Sequence, residues 1–168
     1  REKKQIVPLT LTLTPQKHLL IISGPNAGGK SVCLKTAGLL QYMFQWGILV
    51  PAAEISEFRI FEEIFVDIGD EQSIENDLST YSSHLTNMKG LLQRANSSSL
   101  ILIDEFGSGT EPAAGGAIAE TILSEMERRG VFGVVTTHYT NLKFFAERSR
   151  GAINGAMMFD TAKIEPLY

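Results

Sequence analysis

The chain has 168 residues, enough for one domain with a full-sized core. It is 43% hydrophobic and 20% charged, with a net charge of -4 and a pI of about 5.4, whereas a domain that grips nucleic acid by its own surface is usually basic. No apolar run reaches the roughly 18 residues of a membrane span and no signal peptide is legible, so no membrane partner is expected.

A single cysteine, Cys33, precludes an intrachain disulfide and reads as a small buried hydrophobe in a reducing, cytoplasmic protein. The chain opens on Arg1 with "REKKQ", which reads as one domain, residues 1–168, within a longer protein. "VPLTLTLTPQ" (7–16) alternates with period two and predicts a half-buried strand that Pro15 ends. "HLLIIS" (18–23) is continuously apolar, as in a parallel strand covered on both faces. From Lys30 to about Trp46 the apolar residues fall on more than one side, which predicts a sandwiched helix.

Short strands are expected at "FRIF" and "EEIFVDIG", followed by an acidic loop in which Glu71 and Glu75 are solvated. Tyr81, Leu85, Met88 and Leu92 then share a helical face, and Ser79 or Thr80 is suited to cap it. "SLILIDE" (99–105) is a second buried strand that ends in two acids. After the loop "FGSGTEP", Thr110 and Pro112 start a helix running to about Arg129, with Ile118, Ile122 and Met126 on its core side. "VFGVVTTH" is a third buried strand, "NLKFFAER" a short helix, and the tail "GAINGAMMFDTAKIEPLY" a final pair of strands. Strands alternating with helices, and buried runs of Ile, Leu and Val, predict an α/β fold with a mostly parallel sheet and helices on both faces.

Between the first buried strand and the first helix stands "GPNAGGKS" (24–31), which satisfies G-x-x-x-x-G-K-[ST] in the strand-to-helix context that gives the pattern meaning. Glycines let successive N–H groups turn inward around phosphate oxygens at the positive end of the following helix. Gly24, Pro25, Asn26, Ala27, Gly28, Gly29, Lys30 and Ser31 are therefore the expected phosphate-binding residues, with Lys30 reaching the phosphates and Ser31 ligating Mg²⁺. Asp104 lies at the carboxyl end of a buried strand and is expected to hold Mg²⁺ through water, while Glu105 is the candidate base for the attacking water. His138 ends the third strand and is suited to donate to a γ-phosphate.

Taken together, "GPNAGGKS", "LSTYSSH", "LILIDEFGSGT" and "TTHY", in that order and spacing, resemble the ATPase domain of the MutS family. "DIGDEQSIENDLSTYSSHLTN" is similar to the second subfamily, MutS-two. The resemblance implies a P-loop fold of the ATP-binding-cassette type, with a mostly parallel sheet, flanking helices and an antiparallel N-terminal portion. It implies ATP and Mg²⁺ as ligands, and a homodimer that clasps two ATP molecules. Carried over position by position, Asn26 touches the γ-phosphate or its water, and Ser79 reaches the partner's ATP in trans. Gly107, Ser108, Gly109 and Thr110 line the dimer seam, and Asp70, Glu71 and Gln72 fall where a glutamine loop would lie. The base contact is expected from Ile6 and Val7, or from Tyr168. The implied role is a switch acting on mismatched or branched DNA held by other domains, with rescue of collided ribosomes as the alternative. A small-molecule kinase would need an arginine-rich lid, whereas the basic clusters Arg128-Arg129 and Arg148-Arg150 sit at candidate helix ends. A scaffold that never hydrolyses would have no need of Glu105.

Overall fold

A computed structural model describes residues 7–24, 28–68, 77–157, 159–160 and 165–166. The elements in chain order are β1 (Leu19–Ser23), α1 (Lys30–Gln45), β2 (Glu63–Asp67), α2 (Asp77–Arg94), β3 (Ser99–Ile103), α3 (Pro112–Arg128), β4 (Phe132–Thr137), α4 (Thr140–Arg148), β5 (Ala152–Ala156), β6 (Phe159–Asp160) and β7 (Glu165–Pro166). The first five strands form one sheet in the order β2-β3-β4-β1-β5, and every pairing in it is parallel. The expected α/β architecture is therefore present. β6 and β7 form a separate antiparallel pair.

The order follows from right-handed crossovers. From β1 the chain steps to the far edge at β2, then returns through β3, β4 and β5, which leaves α1 on one face and the other three helices opposite. Two apolar clusters record this division. Met88 and Leu91 of α2, Leu123 and Met126 of α3, and Leu142 and Phe145 of α4 pack with Ile101 and Ile103 on one side. Leu34 of α1 packs with Phe61, Leu100, Leu102 and Val134 on the other.

Several local expectations are corrected. Residues 7–16 form no ladder with a described strand, and the described antiparallel pairing is at the other end of the chain. The period-two pattern selects a face but supplies no partner. β1, the nearest strand in sequence, is already paired on both edges by β4 and β5. Leu11 and Leu13 still lie against the α1-side cluster. The "FRIF" segment is not a strand either, because a side chain takes the place of a neighbouring strand: Gln45 accepts the Phe61 N–H at 2.9 Å and donates to the Phe61 carbonyl at 3.2 Å.

The α1 helix is not sandwiched among the described residues. Leu34 is buried, but Val32, Leu39, Tyr42 and Trp46 form an exposed stripe, with Trp46 70% exposed. Cys33 is half-buried against the same cluster, and burial raises its thiol pKa. In α3, Ile122 and Met126 face the core as expected, but Ile118 is exposed at 39%. Pro112 opens α3, while the cap is Glu111 rather than Thr110: its carboxylate accepts the N–H groups of Ala113 and Ala114. In α2, Met88 is buried and Leu92 half-buried, yet Leu85 is exposed and Leu91 takes the core position. The helix begins at Asp77, so Ser79 lies inside its first turn rather than capping it.

Met126 is fully buried between α3 and the sheet. Replacing it with alanine is expected to cost about 2–5 kcal/mol of unfolding free energy, read from urea denaturation; a loss below about 1 kcal/mol would contradict this packing.

Candidate functional site

The site forms where the carboxyl ends of β1, β3 and β4 meet at one rim of the sheet. β4 lies between the other two strands, with Ser23 of β1 beside Thr137 and Ile103 of β3 beside Val135. Gly24, which follows β1, and Asp104, which follows β3, are thus two strands apart, roughly 10 Å by ordinary sheet spacing. That separation suits a chain of phosphates with a metal at its end.

The turn into α1 depends on glycine. Gly24 has φ 129° and Gly29 has φ 86°, both in the region that side chains disfavour. Gly29 caps α1 without a side-chain bond, leaving the first-turn N–H groups of Lys30, Ser31 and Val32 directed out of the helix end. Gly28 is buried, and Gly29 and Ser31 are half-buried. Pro25, Asn26 and Ala27 lie outside the described residues, as do Ile6, Asp70, Glu71, Gln72, Glu75 and Tyr168, and the side chain of Ser79.

Lys30 carries the principal charge of the site. It is only 1% exposed, and its ammonium donates to the carbonyl of Gly24, closing the turn on itself. Burial pushes its pKa below the usual lysine value, while the carboxylates of Glu105 and Asp104 pull in the opposite direction. Lys30 and the two acids ending β3 therefore share one electrostatic environment. A buried ammonium bonded to a carbonyl, with two carboxylates in its field, at the N-terminal end of α1 is suited to a polyanion that brings its own metal.

The acids are fixed by residues that sequence reasoning did not single out. Thr136 accepts the Glu105 N–H at 2.8 Å and donates to Asp104 Oδ1. The Asp104 N–H donates to the carbonyl of Asp67 at 2.9 Å, and the Asp67 carboxylate meets His84 Nδ1 of α2 at 2.7 Å. Glu105 has φ 49°, the one positive φ at a non-glycine among the described residues. Its carboxylate lies 3.5 Å from Nε2 of His138, which is nearly half exposed on the rim. "TTHY" pointed to the strand end, but only its histidine had a legible role; the hydroxyls act through bonds to a segment some 30 positions away in the chain, a separation no local pattern encodes.

Tyr139 ties the same rim to the loop at 107–110. Its hydroxyl donates to the Gly107 carbonyl at 2.9 Å, and its ring would lie 2.7 Å from a Cβ at Gly107, where φ is 91°. Gly107, Ser108 and Thr110 line a shallow surface depression together with His84 and Met88.

Among the described residues no group of three or more His, Cys, Asp or Glu is placed to hold a metal. The oxygen donors Ser31 and Asp104 fit Mg²⁺, which takes few protein ligands when a phosphate supplies the others. No described helix is long and apolar enough to cross a membrane. The basic clusters form no lid: Arg128 and Arg129 are held by Glu125, and Arg148 by Glu120.

Comparison with known proteins shows that residues 20–165 match the family described as MutS domain V. The endonuclease MutS2 of Shouchella clausii is 49% identical over 164 residues, covering 98% of this chain and 21% of the relative. That of Exiguobacterium sibiricum is 48% identical over 164 residues, with the same coverage. That of Caldanaerobacter subterraneus subsp. tengcongensis is 46% identical over 167 residues, 99% of this chain and 21% of the relative. The chain thus spans about a fifth of the length of these curated relatives.

Lys30→Ala removes the buried cation and is expected to weaken ATP binding at least about 30-fold by isothermal titration. An incoming polyanion raises the lowered Lys30 pKa, so binding takes up protons at alkaline pH and affinity falls as pH climbs through the interval between the two values. Unchanged affinity in the alanine variant, or proton release on binding, would contradict this assignment.

Proposed function

Because the chain belongs to the MutS domain V family, we propose that it is an ATP-binding and hydrolysing switch domain of the MutS2 branch, in the ATP-binding-cassette class of P-loop proteins. The observation that carries this reading is the burial of Lys30 at the phosphate-loop turn, within the field of Glu105 and Asp104.

In this reading the backbone N–H groups of the turn and the first turn of α1 hold the phosphates of ATP, and Lys30 leaves the Gly24 carbonyl to bond them. The Ser31 hydroxyl, and the Asp104 carboxylate through water, would hold Mg²⁺, which would neutralise charge at the phosphate oxygens. The Glu105 carboxylate orients water and accepts its proton as the bond from oxygen to the γ-phosphorus forms and the bond to ADP breaks. His138 stands beside Glu105, where its imidazole can donate to the γ-phosphate. Asn26 completes the loop, and the base is contacted by Ile6 and Val7 or by Tyr168.

Two chains would face each other across the 107–110 loops, each offering Ser79 to the other's ATP. Contacts that exist only with the γ-phosphate favour the closed pair, and hydrolysis removes them. The output is a movement passed to parts of the full protein that hold mismatched or branched DNA, in keeping with the acidic charge of this domain, which leaves the grip on nucleic acid to other parts. We place it in the cytoplasm.

Glu105→Gln keeps the shape of the site while removing the proton acceptor. Turnover is expected to fall at least about 100-fold with ATP affinity retained. Mass-resolved light scattering of this variant should show dimers with Mg-ATP and monomers without it. Equal loss of binding and turnover would remove the role given to Glu105, and a monomer at saturating Mg-ATP would remove the dimer switch.

A further inference from the structure

Both acids at the end of β3 answer to one hydroxyl. Thr136 lies near the end of β4 with no exposed surface. Its Oγ1 accepts the Glu105 N–H at 2.8 Å and donates its single proton to Asp104 Oδ1. Its carbonyl accepts the Phe106 N–H at 2.9 Å. One residue thus bonds three consecutive residues, and the middle one holds φ 49°. A side-chain-bearing residue stays in that conformation only where its surroundings hold it. The two residues before it on the strand, Val134 and Val135, are buried and apolar, and Thr137 after it is buried with its own bond to the Phe106 carbonyl. Valine would fill the space at 136 equally well and would make neither side-chain bond.

We propose that the Thr136 hydroxyl is a positioning group for hydrolysis, fixing the relative placement of the carboxylate that orients water and the carboxylate that serves the metal. This inference rests on the ATPase reading above. Thr136 acts on the rate through Glu105 and Asp104 and touches no reacting atom, so its loss must appear in kcat before it appears in nucleotide affinity. Filling the core alone would make valine a silent replacement.

Thr136→Val and Thr136→Ser in the 168-residue chain separate these cases, read by steady-state turnover, ADP titration in EDTA and thermal melting. The valine variant is expected to lose about 10–100-fold in kcat, with KM for ATP and Kd for ADP within about threefold of the parent. The serine variant, which keeps the hydroxyl, should stay within about threefold in kcat. Parental kcat in the valine variant would overturn the proposal. So would a loss of ADP affinity matching the loss of kcat, which marks general damage to the site. If melting shows the valine variant unfolded, the serine variant decides: folded and active supports the hydroxyl, folded with more than about tenfold loss refutes it. A parent that neither binds nor hydrolyses ATP would remove the ATPase reading and this inference together, whereas equal turnover by parent and valine variant removes only the inference.

Discussion

A lysine that is 1% exposed would ordinarily shed its charge or find partners. Lys30 has a backbone carbonyl for its ammonium and two carboxylates nearby, and the remaining features of the rim follow from keeping it there. Gly24 and Gly29 take the positive φ that the turn requires, α1 starts at the lysine itself, and β3 ends in the acids that offset it. A site preset in this way needs little rearrangement to exchange a carbonyl for a phosphate.

The second constraint is the position of β4. Among the described strands it alone lies between β1 and β3, and its last residues are polar where its first are apolar. Thr136 and Thr137 are fully buried, and each bonds the segment after β3. Tyr139 extends the stitching to the 107–110 loop. Residues 104 to 107 are thus bonded in succession to Thr136, Thr137 and Tyr139. The link between Asp67 and His84 offers α2 a similar attachment beside Asp104.

Much of this was legible from the residues. Continuous apolar runs gave the buried strands, and the glycine, lysine and serine spacing located the turn, because phosphate chemistry demands those residue types in that order. Strand partners were less accessible. The Leu-Thr alternation before Pro15 reads as a strand, but the edges of β1 are already filled, and "FRIF" is held by Gln45 instead of a neighbouring strand. The two-sided apolarity of α1 was real, yet the described residues cover one side only. Thr136 and Tyr139 escaped notice because their roles are made by contacts distant in sequence.

The central claim is that the turn at 24–31 and the strand end at Asp104 and Glu105 serve one triphosphate. A crystal structure with Mg²⁺ and a non-hydrolysable ATP analogue tests it most directly. The account predicts phosphate oxygens against the N–H groups of the turn, Lys30 turned from Gly24 to those oxygens, and the metal between Ser31 and Asp104. An analogue bound elsewhere, with Lys30 still on the Gly24 carbonyl, would contradict it.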